Sequence, residues 1–382
     1  LDLQAKIDRG QQKQDRNWDD RVSELYDRLC QLDPQLPSTI ASETSFGLPS
    51  HVVFLNKMSR AEQASAREAF ARVITETGED YPWTGEVVRL VSKNNDRRTM
   101  RLLRRAADQV AVRGAALEQL AKRAEPGDRG RFVSGLSDGS LGVVAACLGA
   151  LAKLPAGRDG QEQLALLGVV RRMGDVATEH RLRSRAVALL RRNTGKKLGF
   201  DTSVQGRRPQ PEAVARWTQW IETAFPEASR SALGAAAASL PVLKRRWATV
   251  DWGTGDAGRG KQVFTRRGCV QCHQGRRALG PDLAGAAGRF SREDLLTAIE
   301  LPNRDVSPRY QTTVVTTSGG KVYNGLVVYQ SVDGITLRTG TNQTIRLEQG
   351  EIEYQSKRPE SLMPAGLLKK ATNQDLADLY AY

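Results

Sequence analysis

The 382-residue sequence has few of the side chains that bind metals or form disulfides: four cysteines, three histidines and four methionines. Cys30 and Cys147 stand alone and far apart, which excludes the disulfide framework of a small secreted domain. We expect both to be buried as small hydrophobic residues, and a bridge between them is the less favoured alternative. His51 and His180 have no further ligand nearby in sequence and are predicted to be structural or surface histidines.

Long apolar runs are also missing. The richest stretch, residues 141–154, is shorter than the roughly 18 residues that cross a bilayer, so it predicts a buried helix and no transmembrane segment in this chain. The sequence begins at Leu1 without a signal-peptide pattern. We therefore expect it to be a piece of a longer protein.

The charge is basic and unevenly distributed. The whole chain has a net charge of +14, of which residues 255–382, with 17 basic and 13 acidic side chains, contribute only +4. Such a surplus could favour nucleic acid, anionic lipid or an acidic protein. Because the arginines are scattered along helical patterns without interleaved aromatic residues, we predict solvated helix surface and no nucleic-acid partner.

The pattern of apolar residues predicts a mainly α-helical protein in three parts. Residues 1–84 form an N-terminal helical segment, with a loop at 33–50, and residues 85–245 form a HEAT-like helical repeat region. An irregular helical bundle is the alternative for this second part, because its repeats are degenerate. The third part, residues 255–382, is predicted to be a class I cytochrome c-like domain that carries a small antiparallel β insertion at about 308–357.

The third part contains Cys269-Val-Gln-Cys272-His273, and Cys-x-x-Cys-His is the attachment motif of c-type haem. Two thiols three residues apart on a helical turn can bond both vinyl groups of one porphyrin, with the histidine held beneath the iron. The motif therefore predicts one covalent haem c, with His273 as an iron ligand and Phe264 against the ring. A zinc site or a redox dithiol is the alternative, although no second ligand pair and no βαβ pattern surround the motif.

Two downstream segments complete the predicted haem site. Gly280-Pro281-Asp282-Leu283 is expected to form a rigid turn that places Pro281 and Leu283 beside the haem. Met363, which precedes a proline, is the only methionine after the motif and is predicted to be the second iron ligand; the alternative is a core-filling methionine. A capping box at Thr372 then predicts the terminal helix, which gives the order of a class I cytochrome c.

This combination resembles the haem-binding domain family first noticed in planctomycetes and verrucomicrobia, the Pirellula/Verrucomicrobium type. The resemblance covers about a third of the chain, at 260–264, 269–273, 280–283, 301–303, 310–311, 361–364 and 376–379. It implies helical repeats before the cytochrome domain, a periplasmic or otherwise extracytoplasmic location, and a redox protein partner or fused dehydrogenase domain, often a β-propeller. No propeller sequence is present in the chain.

Three functions compete. The first is an electron-transfer module that accepts electrons from a fused or partner dehydrogenase. The second is a haem enzyme or small-ligand sensor, which would need an exchangeable sixth position on the iron. The third is a scaffold whose helical stack binds protein. Met363 favours the first, because a methionine ligand closes the iron to peroxide and gases.

Overall fold

The computed structural model describes residues 18–94, 96–174, 177–203, 206, 209–229, 239–274, 278–319, 321–340 and 343–382. The chain is mainly helical and has a small antiparallel sheet of five strands. Its α-helices are α1 Trp18–Leu32, α2 Leu36–Ser42, α3 Arg60–Thr77, α4 Gly85–Val91, α5 Arg97–Ala107, α6 Arg113–Leu120, α7 Arg129–Gly135, α8 Leu141–Lys153, α9 Gly160–Arg172, α10 Ala177–Thr194, α11 Pro211–Ala224, α12 Ser239–Ala248, α13 Ala257–Arg266, α14 Val270–His273, α15 Ala286–Arg289, α16 Arg292–Glu300 and α17 Asn373–Ala381. The strands are β1 Gln311–Thr317, β2 Val322–Ser331, β3 Gly334–Thr339, β4 Thr344–Glu348 and β5 Ile352–Ser361.

Side-chain caps start many of these helices. Ser59 and Glu62 form a reciprocal capping box at α3, and Asp96 and Ser140 accept backbone N–H groups at the starts of α5 and α8. The buried helix predicted at 141–154 is α8, which ends at Lys153. The loop prediction for 33–50 was wrong in part, because α2 lies within it and a 3-10 helix begins at Pro49. Residues 1–17 of the predicted N-terminal segment lie outside the described residues.

One large apolar core joins the N-terminal segment to the helical region that follows it. The buried residues of this core extend from Tyr26 in α1 to Ile221 in α11. Consecutive helices pack in pairs, such as α5 on α6 and α9 on α10, and each pair also contacts the next helices along the chain, as α9 does α11. Small buried residues such as Ala116 and Ala150 let these helix axes approach closely.

The five strands form one antiparallel sheet in the order β4-β3-β2-β1-β5. Alternate residues of β1 enter different cores, as the two-residue period of a strand requires. Val314 joins the large helical core, whereas Val315 packs with Ile335 and Leu337 in a small core on the other face. Strand β5 runs on to Ser361, past the predicted end of the insertion, and tolerates Pro359 because it is an edge strand.

Polar contacts attach this sheet to the helices. The hydroxyl groups of Thr178 and Thr316 are hydrogen-bonded at the start of α10, and the Asn324 amide donates to the carbonyl of Gly139 over 3.1 Å. The sheet is therefore docked on the helical region.

A separate core holds the C-terminal helices together. Trp247 of α12, Leu296 of α16 and Leu376 of α17 are among its buried residues. Helix α13 crosses α17 at Gly260, where a Cβ atom would lie 2.1 Å from the carbonyl oxygen of Asp378. Only glycine allows the two backbones to approach this closely.

Candidate functional site

The functional motif follows directly from α13. Asp256 caps the start of that helix, and its side chain accepts the backbone N–H of Arg259 over 2.8 Å. The Arg259 guanidinium donates to Asp378 in α17 over 2.8 and 2.9 Å, and this hydrogen-bonded pair lowers the pKa of Asp378. The helix that precedes the motif is therefore anchored to the last helix.

A glycine with left-handed backbone conformation lies between the end of α13 and the motif. Gly268 has φ of +78°, and a Cβ atom there would lie 2.2 Å from the Cβ of Ala111 in the helical region. The next residue, Cys269, caps the single turn of α14, and its carbonyl accepts the N–H of His273 over 3.0 Å. Gln271, on the same turn, donates to the carbonyl of Trp83 over 2.6 Å. The motif is thus held against the large helical core.

The His273 imidazole is fixed in orientation by the segment after the motif. Its Nδ1 lies 2.9 Å from the carbonyl oxygen of Pro281. A carbonyl oxygen can only accept, so Nδ1 carries the proton, and Nε2 of the neutral ring has the free lone pair. Gly280 makes room for the ring, because a Cβ atom there would lie 2.5 Å from His273 Cε1.

The same segment is tied to the backbone of the motif. The N–H groups of Leu279 and Gly280 both donate to the carbonyl of Cys272, over 2.9 and 2.7 Å. The Leu279 side chain is buried and anchors this return of the chain. The backbone of the motif, the His273 ring and the Pro281 carbonyl consequently form one local unit.

Both motif cysteines are free and half-buried. Burial raises the pKa of the Cys269 thiol and of the Cys272 thiol to about 11, because a thiolate is poorly solvated there. Both are therefore protonated at neutral pH. Reaction as a nucleophile would need a base to remove the proton.

The structure contradicts the predicted cofactor, a covalent haem c. Cys269, Cys272 and His273 all lie in the described part of the chain, where no group of three or more His, Cys, Asp or Glu side chains could hold a metal ion. The spacing of the motif brings these residues onto one turn, but they do not converge into such a group. We therefore withdraw the assignment of one covalent haem c, which rested on sequence motifs and a family resemblance.

The other predicted site residues are dispersed around this unit. Phe264 is buried in the helix crossing, 5.4 Å from the Tyr382 ring between centroids, whereas Leu283 is exposed. Met363 is half-buried in the loop after β5, and its N–H donates to the Ser361 hydroxyl over 3.0 Å. The structure thus joins Pro281 to the motif through a hydrogen bond. The roles predicted for Met363, Leu283 and Phe264 depended on the withdrawn haem and are not carried further.

The remaining histidines contact backbone groups, and of the remaining cysteines only Cys147 is buried as predicted. The Nδ1 of His51 accepts two backbone N–H groups, over 3.1 and 3.2 Å, and burial lowers the pKa of this imidazole. The Nε2 of His180 lies 2.8 Å from the carbonyl of Ser203. Cys30 is half-buried and Cys147 is fully buried, and neither forms a disulfide.

Three site residues were not predicted from the sequence. Gln271 and Gly268 connect the motif to the helical region, and Arg259 connects the preceding helix to α17. The glycine directly before Cys269 was the one available signal, since a left-handed turn favours glycine. The sequence around Gln271 and Arg259 does not indicate their partners, because Trp83 and Asp378 each lie more than a hundred residues away along the chain.

No protein-family profile matches this chain, and no curated protein is significantly similar to it. Within the described residues, no helix is both long and apolar enough to cross a membrane. Fold and site together define the class of the molecule as a mainly helical protein with a docked five-stranded sheet and a Cys-x-x-Cys-His turn between them in the chain.

Proposed function

We propose that the chain is an electron-transfer protein whose redox-active group is the thiol pair of Cys269 and Cys272. The observation that carries the proposal is that two free thiols lie three residues apart on a single helical turn. Oxidation would join the two sulfur atoms and release two protons and two electrons, and reduction would reverse both changes. A redox dithiol was the alternative to haem in the sequence, and it requires no metal ligand.

His273 supports this chemistry as the neighbouring base. Its Nδ1–H is engaged by the Pro281 carbonyl, so the lone pair of Nε2 is left to take a proton as a thiol becomes a thiolate. Such help is needed because burial raises the pKa of both thiols to about 11. A pair without a stabilised thiolate also favours the disulfide, so we place its potential toward the reducing end of the dithiol range.

The electron source that we propose is a dehydrogenase, either fused to this chain or a separate redox partner, and the proposed location is periplasmic or otherwise extracytoplasmic. Disulfides persist in such compartments, which supports the assignment of a reversible thiol pair. The basic surplus of residues 1–254 supports an acidic partner protein, since opposite charges accelerate encounter.

We also propose the finer architecture predicted from the sequence. The paired packing of α5 to α11 supports a HEAT-like stack within 85–245. The crossing of α13 and α17 at Gly260, with the motif between them in the chain, supports a class I cytochrome c-like helix order in 255–382. This architecture concerns the fold alone and assigns no prosthetic group.

The test is a redox titration of the full chain in dithiol buffers, with free thiols trapped by alkylation and counted by mass spectrometry. As the buffer becomes more oxidising, alkylation of Cys269 and Cys272 should be lost together. The ratio of disulfide to dithiol should change tenfold per roughly 30 mV, which is the slope of a two-electron reaction. Cys269→Ser is the matched control and should keep Cys272 alkylated at every potential. If both cysteines stay unreactive after full reduction and unfolding, their sulfurs are not free in the protein and the proposal fails.

A further inference from the structure

A cleft of about 250 Å³ lies between the helical region and the sheet, remote in sequence from the Cys-x-x-Cys-His turn. Helix α10 contributes Arg181 and Arg185 to its lining. Lys321, directly before β2, and Tyr323, within β2, line the opposite side. Two separate elements thus place three cationic side chains around one space. The docking of the sheet on the helices creates the cleft, because neither element lines it alone.

The charged side chains that line this cleft are all cationic. Arg181 contacts one carboxylate, that of Glu353, over 3.3 Å, and both side chains of this pair are close to half exposed. A solvent-exposed pair of this kind is weak, and it occupies only part of one guanidinium. Counting Arg181, Arg185, Lys321 and Glu353 leaves a net charge of about +2. A dianion would match this charge.

The inner surface of the cleft is apolar. Ala145, Leu182 and Val322 line it together with Tyr323. A free inorganic anion would leave these groups in contact with water, whereas a ligand with a small apolar body would cover them. The volume is slightly below the range of about 300–1,000 Å³ that is usual for ligand pockets, so the ligand is limited to a body about the size of one ring.

We infer that this cleft is a binding site for a small monophosphate ester, with the phosphate held by Arg185 and Lys321 and the apolar body facing Leu182 and Val322. Arginine and lysine are the side chains that proteins use for phosphate, and two of them on different elements would bind its oxygens from two sides. The bound ester would also bridge the helices and the sheet.

The experiment is calorimetric titration of the full chain with phenyl phosphate, inorganic phosphate and phenol at constant ionic strength. Phenyl phosphate should bind most tightly, inorganic phosphate more weakly, and phenol least. Arg185→Gln and Lys321→Gln should each weaken phenyl phosphate binding by about tenfold, the loss of one charge-assisted hydrogen bond. Arg185→Lys should lose less, because it keeps the charge.

The control is Arg101→Gln, which removes an exposed cation from α5, outside the cleft. It should leave the affinity unchanged. Equal weakening by all three glutamine variants would mean attraction to a diffuse basic surface and would overturn the site. Absence of phenyl phosphate binding, or equal binding of phenol, would overturn it as well. Unfolding curves that match the parent chain exclude misfolded variants.

Discussion

The fixed orientation of the His273 imidazole depends on the absence of a side chain at Gly280. Gly280→Ala would place a methyl group 2.5 Å from Cε1 and 2.7 Å from Nδ1 of the ring, inside van der Waals contact. The backbone of Gly280 does not have a positive φ, so the effect of the added methyl is steric. The ring must move, and the hydrogen bond from Nδ1 to the Pro281 carbonyl should be lost.

The expected cost is about 1–2 kcal/mol in the free energy of unfolding, from one hydrogen bond and local overpacking. Nitrogen-detected NMR should show the His273 ring change from a single Nδ1–H tautomer to a mixture. Gly288→Ala is the matched control, because a Cβ atom there meets nothing within 4 Å and the residue lies in α15. That variant should keep the tautomer and gain slightly in stability. A Gly280→Ala protein with an unchanged His273 tautomer would refute the reasoning.

Three further predictions follow from other contacts. Alkylation of Cys269 and Cys272 should accelerate about tenfold per pH unit from 7 to 10, because burial raises both pKa values to about 11; a plateau near pH 8.5 in rate measurements would contradict this. Arg358→Met should lower the free energy of unfolding by about 3 kcal/mol, because the buried Glu179 carboxylate loses its cation and keeps the N–H of Gly174. Glu179→Leu should cost less in the Arg358→Met background than in the parent chain in urea titrations, whereas additive losses would disprove the pairing. Gly260→Ala should separate α13 from α17 and lower the thermal midpoint, and an unchanged midpoint would mean that the crossing has room for a methyl group.

Local sequence patterns predicted much of the secondary structure but little of its packing. Alternating β-branched residues indicated the five strands, and the capping box at Thr372 indicated α17, because these signals involve neighbours in the chain. Helix α2 was missed since Pro37 and Ser38 are typical of loops, although proline is acceptable in a first helical turn.

For the candidate site, too, the sequence predicted the local arrangement but not the packing around it. The spacing of Cys269, Cys272 and His273 was visible in the sequence, as was the following Gly280-Pro281 turn, but the spacing led to a haem that the structure contradicts. A motif of five residues specifies which side chains share a turn. Whether they form a metal-holding group depends on the rest of the fold, which the motif does not encode.

The contacts of the Cys-x-x-Cys-His turn also bear on how the protein is assembled. Gln271 bonds the carbonyl of Trp83, and Gly268 fits against Ala111, so the turn rests on the N-terminal half of the chain although the C-terminal helices, α12 included, share a core of their own. These contacts are strongly non-local, because they join residues well over a hundred positions apart in the chain. The helical region therefore does more than separate the third part from what precedes it: by supporting one side of the turn, it limits the directions from which another molecule can reach the two thiols.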